Sequence, residues 1–185
     1  VAVLDFGSQY TQLIVRRVRE IGYFAKLYSP EDIDEIGEPG AIILSGGPRS
    51  TSEPDAPDID FERLKSYGVP VLGVCYGMQL LNIKFGGSVK ASNQREYGPA
   101  GLKPISKDDL YAGISDVSQV WMSHSDTVED LHGECEVIAV NQRGTPVSLK
   151  WPGGFFGIQF HPEVTHSHEG LQILRNFLSQ ANSLQ

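Results

Sequence analysis

Cysteine is scarce in this chain: two in 185 residues, Cys75 and Cys135, in dissimilar surroundings. That excludes the disulfide framework that staples small secreted domains, and it fits a reducing, cytoplasmic setting. Long apolar runs are missing too, and none approaches the roughly 20 residues that a membrane span needs. The opening VAVLDFGSQY has neither the basic start nor the long apolar centre of a signal peptide. Positive charge is in deficit, with 15 Lys and Arg against 23 Asp and Glu and a net charge of −8. A nucleic-acid backbone is therefore not an expected partner, since phosphate binding needs clustered cations. The longest basic cluster, Arg16, Arg17 and Arg19, shares a helical pattern with Glu20 and reads as a solvated helix face. There is no initiating Met, so a trimmed or excised chain is expected, and no low-complexity tract, internal repeat or Pro/Ser-rich linker.

What is present has the rhythm of alternating strands and helices. Residues Val1–Phe6 form an apolar run with little alternation, as expected of a strand buried on both faces. Leu13, Ile14, Val18 and Ile21 then recur at helical spacing until Gly22. Phe24–Tyr28 reads as a second strand, and SPEDIDEIG as a short helix with a Ser cap and Pro in its first turn. AIILSGGP is a third buried strand ending in a glycine turn, Phe61–Tyr67 a helix, Val69–Val74 a fourth strand, and Gly77–Phe85 a helix closed by Gly86 and Gly87. From about Val89 the rhythm shifts to short β-like pieces, GLKPI, QVWM, EVIAV, PVSLKW and FFGIQF, before a last amphipathic helix carrying Leu171, Leu174, Phe177 and Leu178. The expectation is one α/β domain over residues 1–185. It has a mostly parallel open sheet flanked by helices, with antiparallel strands added in the C-terminal half.

Ligands of open α/β sheets gather at the carboxyl ends of the parallel strands. Two glycine-marked turns fall there, SGGP after the third strand and GVCYG after the fourth. Gly-x-Cys-x-Gly is the sulfur counterpart of the Gly-x-Ser-x-Gly elbow, in which a strained strand-to-helix turn lifts the nucleophile clear of the sheet. A sulfur at a helix N-terminus is favoured as thiolate by the free N–H groups and the helix dipole. A buried cysteine is ordinarily a small hydrophobe. The paired glycines at a strand–helix switch argue otherwise for Cys75, whereas Cys135 in HGECEV has no such setting.

A thiolate nucleophile benefits from a proton shuttle, most often His. His132, His166 and His168 sit in polar turns and read as surface or capping residues, and no strong metal-ligand spacing joins His161 to them. His161 ends the run FFGIQF and is followed by Pro162 and Glu163. In extended backbone the side chains of His161 and Glu163 would point the same way, which suits a carboxylate that orients an imidazole.

GVCYGMQ, QFHPEV and LSGGP together resemble the class I, triad-type glutamine amidotransferases, over essentially the whole chain. LDFGSQYTQLI, Tyr76 and Met78 in the elbow, QREYG at Gln94–Gly98, VWMSHSD and HPEVTH resemble the branch that serves GMP synthetases. The resemblance implies a flavodoxin-like sheet and a glutaminase with Cys75 as nucleophile, His161 as proton shuttle and Glu163 as its orienting carboxylate. It also implies an oxyanion hole from the backbone N–H groups of Gly47 and Tyr76, and glutamine-binding roles for Gly46, Gln79, Ser123, His124 and Asp126. Read alone, MSHSD is a polar turn with a capping Ser or Asp. The family usually has Gly where this chain has Ser125; at φ > 0 a Ser would cost about 1 kcal/mol, and the local loop would differ.

The implied partner is an ATP-pyrophosphatase domain or subunit that uses ATP and Mg to activate xanthosine monophosphate and receives the ammonia. No Walker A or G-x-G-x-x-G motif for such a domain is present in this sequence, and no cofactor or metal is expected in the chain itself. Two other functions remain open: a docking module inactive without its synthetase, and a stand-alone hydrolase of γ-glutamyl compounds.

Overall fold

The computed structural model describes residues 1–182, with the side chains of Asn93, Gln94 and Asn182 excepted, so Gln94 of the QREYG motif lies outside the described side chains. Each of the first apolar runs becomes a short strand: β1 (Ala2–Leu4), β2 (Lys26–Tyr28), β3 (Ile42–Leu44) and β4 (Val71–Val74). They pair in parallel, and β9 (Phe155–Ile158) joins β4 in the same sense. The antiparallel strands are β5 (Val89–Pro104), β6 (Ser118–Val128), β7 (Glu136–Asn141) and β8 (Pro146–Trp151). All nine form one sheet in the order β2-β1-β3-β4-β9-β8-β7-β5-β6.

The strands carry apolar residues on both faces because helices cover both. Val3 and Ile43 face α1 (Thr11–Ile21) and α4 (Gly170–Asn182), packing with Ile14, Val18, Ile173 and Phe177. Their neighbours Leu4, Ile42 and Leu44 face the other way, against Leu64 of α2 (Phe61–Ser66) and Met78 and Leu81 of α3 (Tyr76–Lys84). This two-residue alternation within unbroken apolar runs is what a doubly covered sheet requires. Gly22 ends α1 in the left-handed conformation, φ 112°, and its N–H returns to the Arg19 and Val18 carbonyls. Asp60 caps α2 by accepting from the Arg63 N–H at 3.1 Å. Among the described residues, no helix is long and apolar enough to cross a membrane.

Four expectations need correction. SPEDIDEIG forms a 3-10 turn at Pro30–Glu35, not an α-helix, and the Ser29 side chain makes no cap bond. Only Ile33 of that turn is buried, so little apolar burial is available to extend it. GLKPI and QVWM are parts of much longer strands, β5 and β6. MSHSD is consequently not a turn: it lies inside β6, paired with β5. Ser125 is not among the described non-glycine residues with positive φ, so the strain anticipated there does not arise.

Candidate active site

The carboxyl ends of β1, β3, β4 and β9 open onto one cleft of about 470 Å3. Gly7–Tyr10 follow β1, Gly47–Ser50 follow β3, Cys75 and Tyr76 follow β4, and His161 follows β9; β6 closes the side with Ser123–Asp126. This is where the handedness and strand order of a parallel sheet place a binding site.

Cys75 sits at the junction of β4 and α3 with φ 53° and ψ −106°. Apart from Asp109, it is the one non-glycine residue among those described with positive φ. Such a conformation costs about 1–3 kcal/mol and persists only where the surroundings enforce it. The flanking glycines do the enforcing. A Cβ on Gly73 would lie 2.6 Å from the Gly77 carbonyl carbon, and one on Gly77 would lie 2.6 Å from the Leu44 carbonyl oxygen. Helix α3 therefore starts hard against β3 and β4, leaving the sulfur at the cleft floor. Tyr76, next in line, begins α3, so its N–H has no intrahelical acceptor. Its phenol donates to the Pro57 carbonyl and tethers the loop that follows β3.

His161 is buried against this floor, and its Nδ1 lies 2.7 Å from Glu163 Oε1. The pair does not lie in extended backbone: β9 ends at Ile158, and Pro162 and Glu163 form a turn that folds the carboxylate back onto the ring. Burial disfavours the charged imidazole, but interaction with Cys75 and the hydrogen bond to Glu163 outweigh it and push its pKa up to about 10. The Tyr10 ring stands edge-on to His161 at 5.4 Å. Gly46 explains how close the parts come, because a Cβ there would be 3.0 Å from His161 Cε1 and 3.4 Å from the Cys75 Cβ. It stands behind the residues that line the cleft rather than among them. Gly47 does line it, and a Cβ there would run into the Phe6 carbonyl.

The other expected substrate residues all line the cleft, but with partners of their own. The Ser123 carbonyl accepts from Cys75 Sγ at 3.5 Å. His124 Nδ1 lies 2.8 Å from the Asp126 carbonyl oxygen, and its Nε2 lies 3.6 Å from Glu96 Oε2. Asp126 Oδ2 accepts from Ser50 Oγ at 2.5 Å. Gln79 Nε2 donates to the Asp126 carbonyl at 3.0 Å and to Gln159 Oε1 at 3.3 Å, so its donor is spent on β6 and Gln159.

Two residues at the site are missed by sequence patterns. Gln159 is buried and its Nε2 donates to Cys75 Sγ at 3.5 Å; a lone amide in the apolar run FFGIQF is the signal that marks it. Arg17 reads as part of a solvated face, yet its Nε donates to the Glu163 carbonyl at 3.0 Å. No pattern in α1 could show that, because the contact spans two distant segments. His132, His166 and His168 are exposed, with His166 against the Trp121 ring at 4.7 Å. Among the described residues, no group of three His, Cys, Asp or Glu side chains is placed to hold a metal ion.

A family model described as glutamine amidotransferase class-I matches residues 2–181. A GMP synthase [glutamine-hydrolyzing] of Thermosipho africanus is 47% identical over 190 residues, which is 100% of this chain and 36% of that protein. The chain thus spans about a third of the length of the curated relatives it matches. Among solved structures, a Thermoplasma acidophilum protein described as a candidate GMP synthase subunit superposes with a TM-score of 0.88 at 27% identity, covering 99% of this chain and 94% of that one. A Thermotoga maritima glutamine amidotransferase shares the fold, with a TM-score of 0.73 at 20% identity over 98% and 97% of the two chains.

Proposed function

The chain belongs to the class-I glutamine amidotransferases, and from that premise we propose that Cys75, His161 and Glu163 hydrolyse the side-chain amide of L-glutamine. The observation that carries the reading is the strained Cys75 at the start of α3, facing a cleft that also holds the His161–Glu163 pair. Cys75 Sγ attacks the carboxamide carbon, and the oxygen that gains charge is met by the N–H groups of Gly47 and Tyr76. Preorganised donors of this kind are worth about 3 kcal/mol in the transition state. His161, carrying the proton and held by Glu163, gives it to the departing ammonia as the C–N bond breaks and a thioester remains. It then takes a proton from water as the water attacks the thioester, freeing glutamate and regenerating Cys75.

Gln79, Ser123, His124 and Asp126 form the wall against which glutamine lies, and Asp126 is the partner for its α-ammonium. The ammonia passes to an ATP-pyrophosphatase domain or subunit, which uses ATP and Mg to aminate xanthosine monophosphate to GMP in the cytoplasm. The extent of the curated relatives beyond this chain supports such a partner. The Ser50–Asp126 bond favours a second reading, in which the glutaminase is slow until the partner remodels the loop after β3.

Ammonia release from glutamine by this chain, with and without an ATP-pyrophosphatase domain, tests the proposal. Turnover that vanishes in Cys75→Ala supports it, and acceleration by the partner supports the second reading. A γ-glutamyl peptide turned over faster than glutamine would replace both with a stand-alone γ-glutamyl hydrolase.

A further inference from the structure

A buried chain of amides runs from β6 to the sulfur, and its orientation follows from chemistry. The Asp126 carbonyl can only accept, so the Gln79 atom 3.0 Å from it is the nitrogen. That same nitrogen lies 3.3 Å from the Gln159 side chain, which must therefore present its oxygen there. Nothing is left for Cys75 but the Gln159 Nε2, at 3.5 Å from Sγ. Gln79 and Gln159 are both buried, at 3% and 2% exposure, so neither amide is free to turn towards water instead.

We infer that Gln159 is a positioning residue for the nucleophile: its side-chain amide donates to Cys75 Sγ and favours the thiolate, while Gln79 holds that amide in the one orientation that allows it. The sulfur has two alternatives. As a thiol it donates to the Ser123 carbonyl; as a thiolate it gives up that bond and keeps the one from Gln159. A donor aimed at the charged form lowers the pH at which that form appears. The other titratable groups around the sulfur are His161 with Glu163 behind it, His124 and Asp126 on β6, and Arg49 and Glu53 on the loop after β3. Tyr10, Tyr76 and Tyr97 complete the wall. A substitution at Gln159 replaces none of these residues.

The inference rests on Cys75 being the nucleophile, but its test reads the sulfur whether or not glutamine is hydrolysed. The rate at which iodoacetamide alkylates Cys75 is followed against pH in the 185-residue chain and in Gln159→Met, which keeps the length of the side chain and removes the donor. Loss of the donor should raise the midpoint, and a rise of about one pH unit would make alkylation roughly tenfold slower at pH values below the midpoints of both chains. Gln159→Glu, which sets a carboxylate beside the thiolate, should move it further in the same direction. For glutamine, kcat should fall by about the same factor with KM little changed. An unshifted alkylation profile in folded Gln159→Met overturns the inference.

A measurement on the unaltered chain guards against variants that fail to fold. The Gln159 side-chain amide NMR signals should move as Cys75 titrates and stay still over the same pH range in Cys75→Ser; signals that ignore the titration overturn the inference. A shifted profile in a chain that leaves glutamine untouched would instead retain Gln159 and discard the glutaminase.

Discussion

Ser50 Oγ donates to Asp126 Oδ2 at 2.5 Å, joining the loop after β3 to strand β6 across the cleft. If Asp126 holds the α-ammonium of glutamine, the substrate has to take that carboxylate from Ser50. Removing the competitor in Ser50→Ala should lower KM for glutamine about three- to tenfold with kcat unchanged, the worth of one ordinary hydrogen bond. Asp126→Asn should raise KM by about tenfold or more, since a charge-assisted bond is lost. Steady-state kinetics on both variants decide the matter. A higher KM in Ser50→Ala would make Ser50 a substrate contact.

The elbow predicts an inverse relation between stability and activity at one position. Cys75 holds φ 53° and ψ −106°, which glycine adopts without strain and alanine does not. Both Cys75→Ala and Cys75→Gly should be inactive. Thermal unfolding should nevertheless find Cys75→Gly more stable than Cys75→Ala, by about 1–2 kcal/mol after allowing for the entropy of glycine. Equal stabilities would mean that the turn is not strained.

Local cues of this kind make part of the fold legible in the sequence and leave part of it hidden. β1, β3 and β4 can be read because burial on both faces leaves unbroken apolar runs such as AIIL and VLGV. β5 cannot: VKASNQREYGPAGLKP is polar and holds glycine and proline, and it is a strand because its backbone pairs with β6 and, at its end, β7. In β6 the two-residue alternation is present, with Val120, Met122, His124 and Asp126 buried on one face. Its last two members are polar, however, and look like turn residues until the cleft gives them partners. At the site, glycines and proline punctuate the positions of Cys75 and His161 in the sequence. Arg17 and Gln159 carry no such punctuation, because what they do depends on segments far away in the chain.

The two thiols should separate cleanly in reactivity. Burial, helped by the Glu136 carboxylate, pushes the Cys135 thiol up to about 11. At pH 8 only about one Cys135 in a thousand is then thiolate. Limited iodoacetamide treatment at pH 7–8, followed by peptide mass spectrometry, should find the label on Cys75 and almost none on Cys135. In Cys75→Ala, uptake should be nearly absent until the pH approaches that of the Cys135 thiol. Comparable labelling of both cysteines would show that the elbow does not activate its sulfur.

His161 ties catalytic charge to stability, and the sign can be worked out. Its folded pKa, about 10, lies above the ordinary imidazole value of 6.5, so the folded state holds the proton more tightly than the unfolded chain does. The stabilisation is therefore complete below pH 6.5 and is lost as the pH rises through about 10. Glu163 is one source of the rise, through its hydrogen bond and its charge, while burial acts in the opposite direction. In Glu163→Gln the carboxylate is gone, the folded pKa should fall, and the His161 contribution to the pH slope should shrink. Melting temperatures from pH 6 to pH 10 should thus drop more steeply in the unaltered chain than in Glu163→Gln. Parallel curves would mean that Glu163 does not hold the His161 proton, and the carboxylate would lose its place in the mechanism.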